Sequence, residues 1–341
     1  MPTGISQTNR NMTVAIAVVI IIVLASVGFW YFFVAGLIVS STPEPVTVGT
    51  PHFEGAGLFY IAEDQGFFAR NGLNVTEKNY DSGSAAVNGL TEGEVDIGLS
   101  SEYVLVTKAF NYSTIQALGS IDKGEYTYVV GRKDRGIENI SDLKGKKIGF
   151  TEGTISEFYL GRLLNIEGLS MQDVIPVNIT RSDSVDEIVN GSVDAVVTNP
   201  PYITAITDLL GNNAIVLPAQ NNRYTYEIVI GNNDWIMKKP RLVSSFLKSL
   251  AMANDYVVTH PDDAEAILQK RMNYSDEDTD MAWDNNHFTL SLDQSLLVAM
   301  NDEGTWMIAN NLTAEKTLPD FSNFIDTTDL EKIKPESVDI R

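Results

Sequence analysis

The hydrophobic positions of this chain form one long unbroken run near the N-terminus and many short runs after it. Residues 12–39 contain no charged side chain and are predominantly apolar. A helix needs about 20 apolar residues to cross a hydrocarbon core of roughly 30 Å. The run therefore predicts a transmembrane helix.

The charges beside this run predict its orientation. Arg10 precedes it and no acid lies before it, so the positive-inside rule places residues 1–11 in the cytoplasm and everything after the run outside the cell. The alternative is a cleaved signal peptide, whose apolar core usually spans about 7–15 residues. Both interpretations export the body. Residues 40–45, SSTPEP, are predicted to form a short, stiff stalk.

From Val46 onward, short β-branched runs alternate with longer segments of helical pattern. Strands are predicted at 46–50, 74–80, 95–100, 114–120, 125–133, 146–150, 174–180, 193–198 and 224–232. Helices are predicted at 57–72, 84–94, 102–111, 154–168, 184–192, 200–211, 240–260 and 261–272, and around 281–310. Capping-box spacings at Thr154–Glu157 and Ser184–Glu187 mark two helix starts. Strands separated by helices of this length predict βαβ units with parallel pairing.

The charge balance is strongly acidic, with 45 acids against 24 bases and a net charge of −21. Nucleic-acid binding needs a clustered basic surface, which this sequence lacks, so nucleic acid is excluded as a partner. We interpret the acidity as a solubility adaptation of the surface, one that fits a salty habitat. Long-range attraction of cations is the alternative, although salt screens such fields within ~10 Å.

Cysteine is absent, which excludes disulfides, cysteine-ligated metals and a lipid-modified cysteine anchor. Asn-x-Ser/Thr sequons begin at Asn74, Asn111, Asn139, Asn178, Asn190, Asn273 and Asn311. Each is a candidate N-glycan acceptor on an exported surface. We therefore expect a single-pass cell-membrane glycoprotein with its C-terminal body outside, a pattern that fits an archaeal cell surface.

Four segments carry a family resemblance, and their order and spacing are specific. They are GLFYIAEDQGFFARNGLNV (57–75), AAVNGLTEGEVDIG (85–98), ISDLKGKKIGFTEGT (140–154) and VDAVVTNPPY (193–202). Together they resemble the substrate-binding proteins of the nitrate/sulfonate/taurine and thiamine-precursor group of ABC importers. The last segment departs from the family pattern, because Asn199 and Pro200 stand where Trp-Glu is usual.

The resemblance implies an α/β, two-lobed, periplasmic-binding-protein-like (type II) fold, here preceded by one transmembrane helix. Lobe one would comprise residues 46–129 plus 230–341 and lobe two residues 130–229. The strands near 128–132 and 227–231 would cross between the lobes. A small anionic or polar solute of the sulfonate, nitrate or thiamine-precursor type would bind between them. Hinge closure would then present it to an ABC permease and its ATPase, without a cofactor.

Candidate ligand contacts lie where strands lead into helices, because ligands of open α/β sheets sit beyond the carboxyl ends of the strands. Helix N-termini there offer free N–H groups and partial positive charge. Ser100 and Thr154 could instead be simple N-caps, and Phe53, Tyr103 and Tyr202 could instead pack in the core. The candidates are His52, Phe53, Gly55, Gly57, Ser100, Ser101, Tyr103, Thr151, Gly153, Thr154, Ser156, Asn199 and Tyr202.

Catalysis finds little support in the sequence. His52, His260 and His287 lack metal-site spacing, and neither a G-x-S-x-G elbow nor a P-loop occurs. Thiamine-pyrimidine synthases of the same fold use a Cys-rich motif with iron, which a chain without cysteine cannot supply. We therefore expect a binding protein rather than an enzyme. A ligand-sensing domain that acts through a partner protein is the other alternative.

Overall fold

The structure, a computed structural model, describes residues 42–111 and 114–340. The predicted cytoplasmic tail (1–11), the membrane helix (12–39) and the first stalk residues lie outside these ranges. Among the residues that are described, none belongs to a helix with the length and apolar character needed to cross a bilayer. Glu44 and Pro45, which we assigned to the stalk, are instead the first residues of a strand.

Two sheets organise the described chain. The first has the strand order β11-β4-β10-β3-β1-β2, and the second has the order β7-β6-β8-β5-β9. The strands are β1 (Glu44–Thr50), β2 (Leu73–Asn79), β3 (Ile97–Ser101), β4 (Ile115–Gly124), β5 (Tyr128–Arg132), β6 (Lys147–Phe150), β7 (Ile175–Asn178), β8 (Ala195–Thr198), β9 (Ala214–Pro218), β10 (Thr225–Asn232) and β11 (Asn286–His287).

Helices connect and cover these strands. They are α1 (Gly57–Asp64), α2 (Phe67–Arg70), α3 (Gly83–Thr91), α4 (Glu102–Ala109), α5 (Ile155–Ile166), α6 (Ser184–Val189), α7 (Tyr202–Leu210), α8 (Asn233–Lys238), α9 (Pro240–Thr259), α10 (Pro261–Met272), α11 (Asp276–Asn285), α12 (Gln294–Ala309) and α13 (Thr328–Ile333). The helix predicted at 57–72 is broken into α1 and α2 at Gly66, whose φ of +67° favours glycine. Strand β9 was not predicted.

The pairing contains the predicted parallel βαβ units together with antiparallel pairs near the crossings, which were not predicted. Strand β1 pairs in parallel with β2 and β3, and β6 pairs in parallel with β7 and β8. Strand β10 is antiparallel to both β3 and β4, and β5 is antiparallel to β8 and β9. Strand β4 is also antiparallel to β11, so in each sheet the antiparallel pairs involve the strands next to the interlobe crossings.

Alternating side chains of the second sheet enter two different cores. In β5, Val129 belongs to the large core that continues into the first sheet, whereas Val130 packs with Ile188, Ile203 and Ile206 under α6 and α7. Such alternation follows from the period of two in a strand. The sheet is thus buried on both faces, as βαβ units require.

The chain crosses between the sheets at residues 125–127 and 219–224. These crossings lie a few residues before our lobe boundaries at 129/130 and 229/230, which fall within β5 and β10. Gln220 joins the two crossings, because its Oε1 accepts from the Thr127 N–H (2.7 Å) and its Nε2 donates to the Gly124 carbonyl (2.9 Å). From here on, lobe one denotes the part around the first sheet and lobe two the part around the second.

Candidate functional site

A cavity opens between the two sheets beside the crossings, with walls from both lobes. It contains about 600 Å³ of empty space, including the solvent at its mouth. Its lining residues are Pro51, Phe53, Asp81, Ser82, Gly83, Ser100, Ser101, Val104, Tyr126, Thr127, Thr151, Thr154, Ile155, Ser156, Arg181, Thr198, Asn199 and Glu227. We refer to it as the cleft.

The wall from lobe one is built from the carboxyl ends of β1 and β3 and the N-terminus of α3. Ser82 caps α3, since its hydroxyl accepts from the Ala85 N–H at 3.1 Å. Gly83 leaves room for Ser100, because a Cβ on that glycine would lie 2.3 Å from the Ser100 Oγ. The Ser100 hydroxyl is buried and has no hydrogen-bond partner within the described chain. An unpartnered hydroxyl in a cavity wall is available to a ligand.

The wall from lobe two comes mainly from the turn between β6 and α5. Thr151, Thr154 and Ser156 lie here, as predicted from the sequence. The capping box is not formed as expected, because the Thr154 hydroxyl donates to the Thr151 carbonyl (2.7 Å). The Glu157 carboxylate still accepts from the Gly153 N–H at 2.9 Å. Hydrogen bonds from side chains in and next to the turn therefore stabilise its conformation.

Arg181 adds a cationic side chain to the wall of lobe two. Its guanidinium carbon lies 5.1 Å from the centre of the Phe53 ring in lobe one, a cation–π contact that spans the cleft. Phe53 also meets Tyr126 edge-on, with ring centres 5.8 Å apart. The candidate contacts chosen from the sequence include no arginine or lysine, so Arg181 adds a positively charged side chain to the predicted chemistry of the cleft.

Buried carboxyl groups lie at and behind the lobe-one wall of the cleft, and of these Glu227 lines it. Glu227 on β10 lies opposite Asp122 on β4 in the strand register, and their exposures are 1% and 0%. Burial raises the pKa of Glu227 well above its ordinary value, and the nearby Asp122 carboxyl raises it further. Burial likewise raises the pKa of Asp122 and of Glu54. Desolvation disfavours the charged form, so these acids keep their protons to a higher pH than exposed ones.

Glu54 carries a direct polar contact between the lobes. Its Oε1 accepts from the Asn199 side-chain amide of lobe two at 2.9 Å, and its Oε2 accepts from the Tyr274 hydroxyl of lobe one at 2.9 Å. All of Glu54 is buried. Asn199 therefore stabilises the arrangement in which the lobes touch.

Replacing Asn199 with alanine should destabilise the protein by about 1–3 kcal/mol, because a buried acceptor loses its donor. Asn254→Ala is a matched control within lobe one, because the buried Asn254 side-chain oxygen accepts from the Leu290 N–H at 2.8 Å. Both variants should lower the unfolding midpoint in urea, but only Asn199→Ala should loosen the contact between the lobes. Equal interlobe distances in the two variants, measured between spin labels, would contradict this role.

The structure brings seven of the thirteen predicted residues to the cleft wall. They are Phe53, Ser100, Ser101, Thr151, Thr154, Ser156 and Asn199. Ligand contact by these residues stays a prediction. The sequence feature that these residues share is their position near the carboxyl end of a strand.

The other six predicted residues do not line the cleft, for identifiable reasons. Tyr103 is fully buried and stacks on Phe158 instead. His52 lies outside, with its Nδ1 3.8 Å from the Glu77 carboxylate. Gly55 and Gly57 accommodate the rings of Phe53 and Phe288, which a Cβ would meet at 2.5 and 2.6 Å. Gly153 and Tyr202 are partly buried beside the cleft, in the turn before α5 and at the start of α7.

Sequence reasoning missed the charged side chains of the cleft. Arg181 follows the carboxyl end of β7, so the argument that selected Thr151 could also have found it. Glu227 is the one acid within the otherwise uncharged strand Thr225–Asn232. A single acid in such a run was a usable signal, since isolated buried carboxyls are expensive.

Two α/β lobes, two crossings and a polar cleft between them define the two-lobed periplasmic-binding-protein fold. The NMT1/THI5-like family matches residues 55–264, which is more than half of the chain. The chain belongs to that family, and the resemblance noted in its sequence is confirmed.

The relatives of this chain include a protein named for binding and a protein named for catalysis. A protein of Brucella abortus (strain 2308) named only as a binding protein is 25% identical over 233 residues, covering 66% of this chain and 71% of that protein. The 4-amino-5-hydroxymethyl-2-methylpyrimidine phosphate synthase of Aspergillus parasiticus is 27% identical, covering 59% and 63%. The structure of the alkanesulfonate-binding protein SsuA from Xanthomonas axonopodis pv. citri superposes with a TM-score of 0.73 at 16% identity, covering 84% and 99%. At that identity, the likeness to SsuA establishes the fold alone.

Proposed function

We propose that this chain is an extracytoplasmic solute-binding protein that captures a small polar organic molecule between its lobes and delivers it to an ABC importer. The observation that carries the proposal is the cleft, whose wall takes side chains from both lobes beside two crossings. A ligand that contacts both walls favours the closed arrangement by its differential affinity for it. The closed form would then dock on a permease.

Export of the body is part of the proposal. The seven sequon asparagines of the predicted exported part lie in the described ranges and are exposed, as acceptors of N-glycans need to be. The apolar run at 12–39 would keep the body at the membrane and raise its effective concentration near a permease. Protease treatment of intact cells should digest the body. Protection of the body until the cells are lysed would contradict this location.

Hinge closure is best tested with the full chain in detergent and two spin labels. The absence of cysteine allows clean labelling of Asn79→Cys and Ser182→Cys. Exposed Asn79 ends the edge strand β2 and exposed Ser182 lies shortly after the edge strand β7. These two strands lie farthest from the crossings. A solute that binds should shorten and narrow the distance between the labels. It should also raise the thermal midpoint in proportion to the logarithm of its excess concentration.

The solute screen should include taurine, alkanesulfonates, nitrate, bicarbonate, hydroxymethylpyrimidine and riboflavin. Stabilisation without a change in label distance would contradict hinge closure. Consumption of the solute during the assay would favour an enzyme, in line with the name of the Aspergillus relative. Co-purification of a permease and its ATPase would favour import over a sensory role.

A further inference from the structure

The acids of the cleft are an unusual feature in the centre of a sheet. Glu227 and Asp122 face each other across β10 and β4 and are almost completely excluded from solvent. The ion pairs of the described chain include neither residue. The Oε1 atom of Glu227 also has no hydrogen-bond partner among the described residues. An acceptor is therefore left open at the wall of the cleft.

Such an arrangement is costly unless something pairs with it. Burying an unpaired carboxylate costs several kcal/mol, and a well-packed apolar residue in its place is often neutral or stabilising. Two acids side by side increase the cost by mutual repulsion, which is one cause of the raised pKa of Glu227. Protonation lowers this cost in the empty protein, but packing alone gives no reason for two acids at this place. A cationic partner that arrives with the ligand would offset the cost of the ionised form and gives such a reason.

Arg181 does not fill this role in the structure. Its guanidinium lies over the Phe53 ring and makes no ion pair within 4.0 Å in the described part of the chain. It belongs to lobe two, whereas Glu227 belongs to lobe one. Arg181 attracts Glu227 only at longer range. Its N–H groups are suited to an acceptor on the opposite end of a ligand.

We propose that the solute bound in this cleft carries a cationic nitrogen group, such as an amine, an amidine or a protonated heterocycle, that lies against Glu227. This inference rests on the proposed function. The nitrogen group donates to the free carboxylate oxygen of Glu227 and faces Asp122 behind it. The Phe53 and Tyr126 rings beside it add aromatic surface that attracts cations. An acceptor oxygen at the other end of the solute lies against Arg181.

The test uses probe pairs in which the nitrogen group is the variable feature: taurine and isethionate, benzylamine and benzyl alcohol, benzamidine and benzamide. Calorimetric titration of the full chain in detergent gives the affinities. We expect saturable binding of the member that carries the cationic nitrogen in at least one pair, here called the cationic probe, and much weaker binding of its counterpart without that group. Glu227→Gln should lower the affinity for the cationic probe about a hundredfold, as expected when one partner of a buried charge pair is removed.

Two further variants test whether the loss of affinity is specific to Glu227. Glu315→Gln makes the same chemical change at an exposed position and should leave the affinity unchanged. Asp122→Asn should lower the affinity for the cationic probe less than Glu227→Gln does, because Asp122 lies behind Glu227 and does not contact the nitrogen group directly. Asp122→Asn also serves as the test variant if Glu227→Gln does not fold.

Several results would overturn the inference. They are equal binding of both members of every pair, wild-type affinity in Glu227→Gln, and failure of every cationic probe to bind. If nitrate or an alkanesulfonate binds and shortens the label distance while no cationic probe binds, the solute-binding function stands and the cationic preference falls. If no compound of either set shortens that distance, the proposed function itself falls.

Discussion

Raising the pH from 5 to 8 should lower the free energy of unfolding steeply, and Glu102→Gln should make that decline shallower. Glu102 is the first residue of α4 and is fully buried in lobe one. Burial raises its pKa to about 8 from an ordinary value near 4.5. Glu303 of α12 lies beside it, and burial together with the charge of Glu102 raises the pKa of Glu303 as well.

The sign follows from proton binding. Between pH 4.5 and 8 the unfolded chain has released the proton of Glu102, whereas the folded chain still holds it. The folded state therefore binds more protons, and its stability falls as the pH rises through this window. One proton changes the stability by at most about 1.4 kcal/mol per pH unit. Below pH 4.5 both states are protonated, and the contribution of Glu102 is fully present.

Urea unfolding at pH 5, 6, 7 and 8 would measure the effect. Glu102→Gln removes this titration and, through its neighbour, lowers the pKa of Glu303, so the variant should be more stable than wild type at pH 8. The remaining slope comes from Glu303, Glu54, Asp122 and Glu227 among other acids, because burial raises their pKa values in the variant as well. Glu315→Gln, at an exposed position, should follow wild type. A slope unchanged by Glu102→Gln would show that Glu102 is ionised in the folded protein across this range.

These acids also show what could be predicted from the sequence. The order of strands and helices followed from β-branched runs and capping signals, because such patterns reflect local geometry. The two lobes followed from family motifs. Glu227 gave a local signal as the one acid of its strand, but Glu102 gave none, and we interpreted the −21 charge as surface. Whether Glu102 is buried depends on which strands and helices meet, which is set by distant parts of the chain.

The contacts of aromatic side chains were also not predictable from the sequence. Tyr103 lies in the first turn of α4, just beyond β3, where a ligand contact was reasonable, yet its ring stacks on Phe158 of lobe two instead. The partner that decides this orientation lies 55 residues further along the chain. Trp306 lies within the segment 281–310, to which the sequence assigned only a helical tendency. Its neighbours are set by tertiary structure, and no spacing in the sequence predicts them.

Trp306→Ala should have the second large effect, because this indole connects the lobes on the side of α5. Its ring meets Phe158 of α5 edge-on, with centres 5.4 Å apart, and lies 6.4 Å from the Tyr103 ring of lobe one. The indole N–H donates to the Asn165 side-chain oxygen at 3.2 Å. The ring also presses on α5 at Gly161, where a Cβ would lie 2.1 Å from the indole Cζ2.

Removing a buried aromatic side chain of this size costs about 3–5 kcal/mol. We therefore expect the free energy of unfolding of Trp306→Ala to fall by that amount. Because the lost contacts join α12 to α5 of lobe two, the label distance between positions 79 and 182 should become broader. Trp235→Ala is the matched control, since Trp235 is partly buried against lobe one. Trp235→Ala should lower the free energy of unfolding by less than Trp306→Ala does, and it should leave the label distance unchanged. A Trp306→Ala variant that loses stability but keeps a narrow distance distribution would mean that Trp306 is a core residue without a role in holding the lobes together.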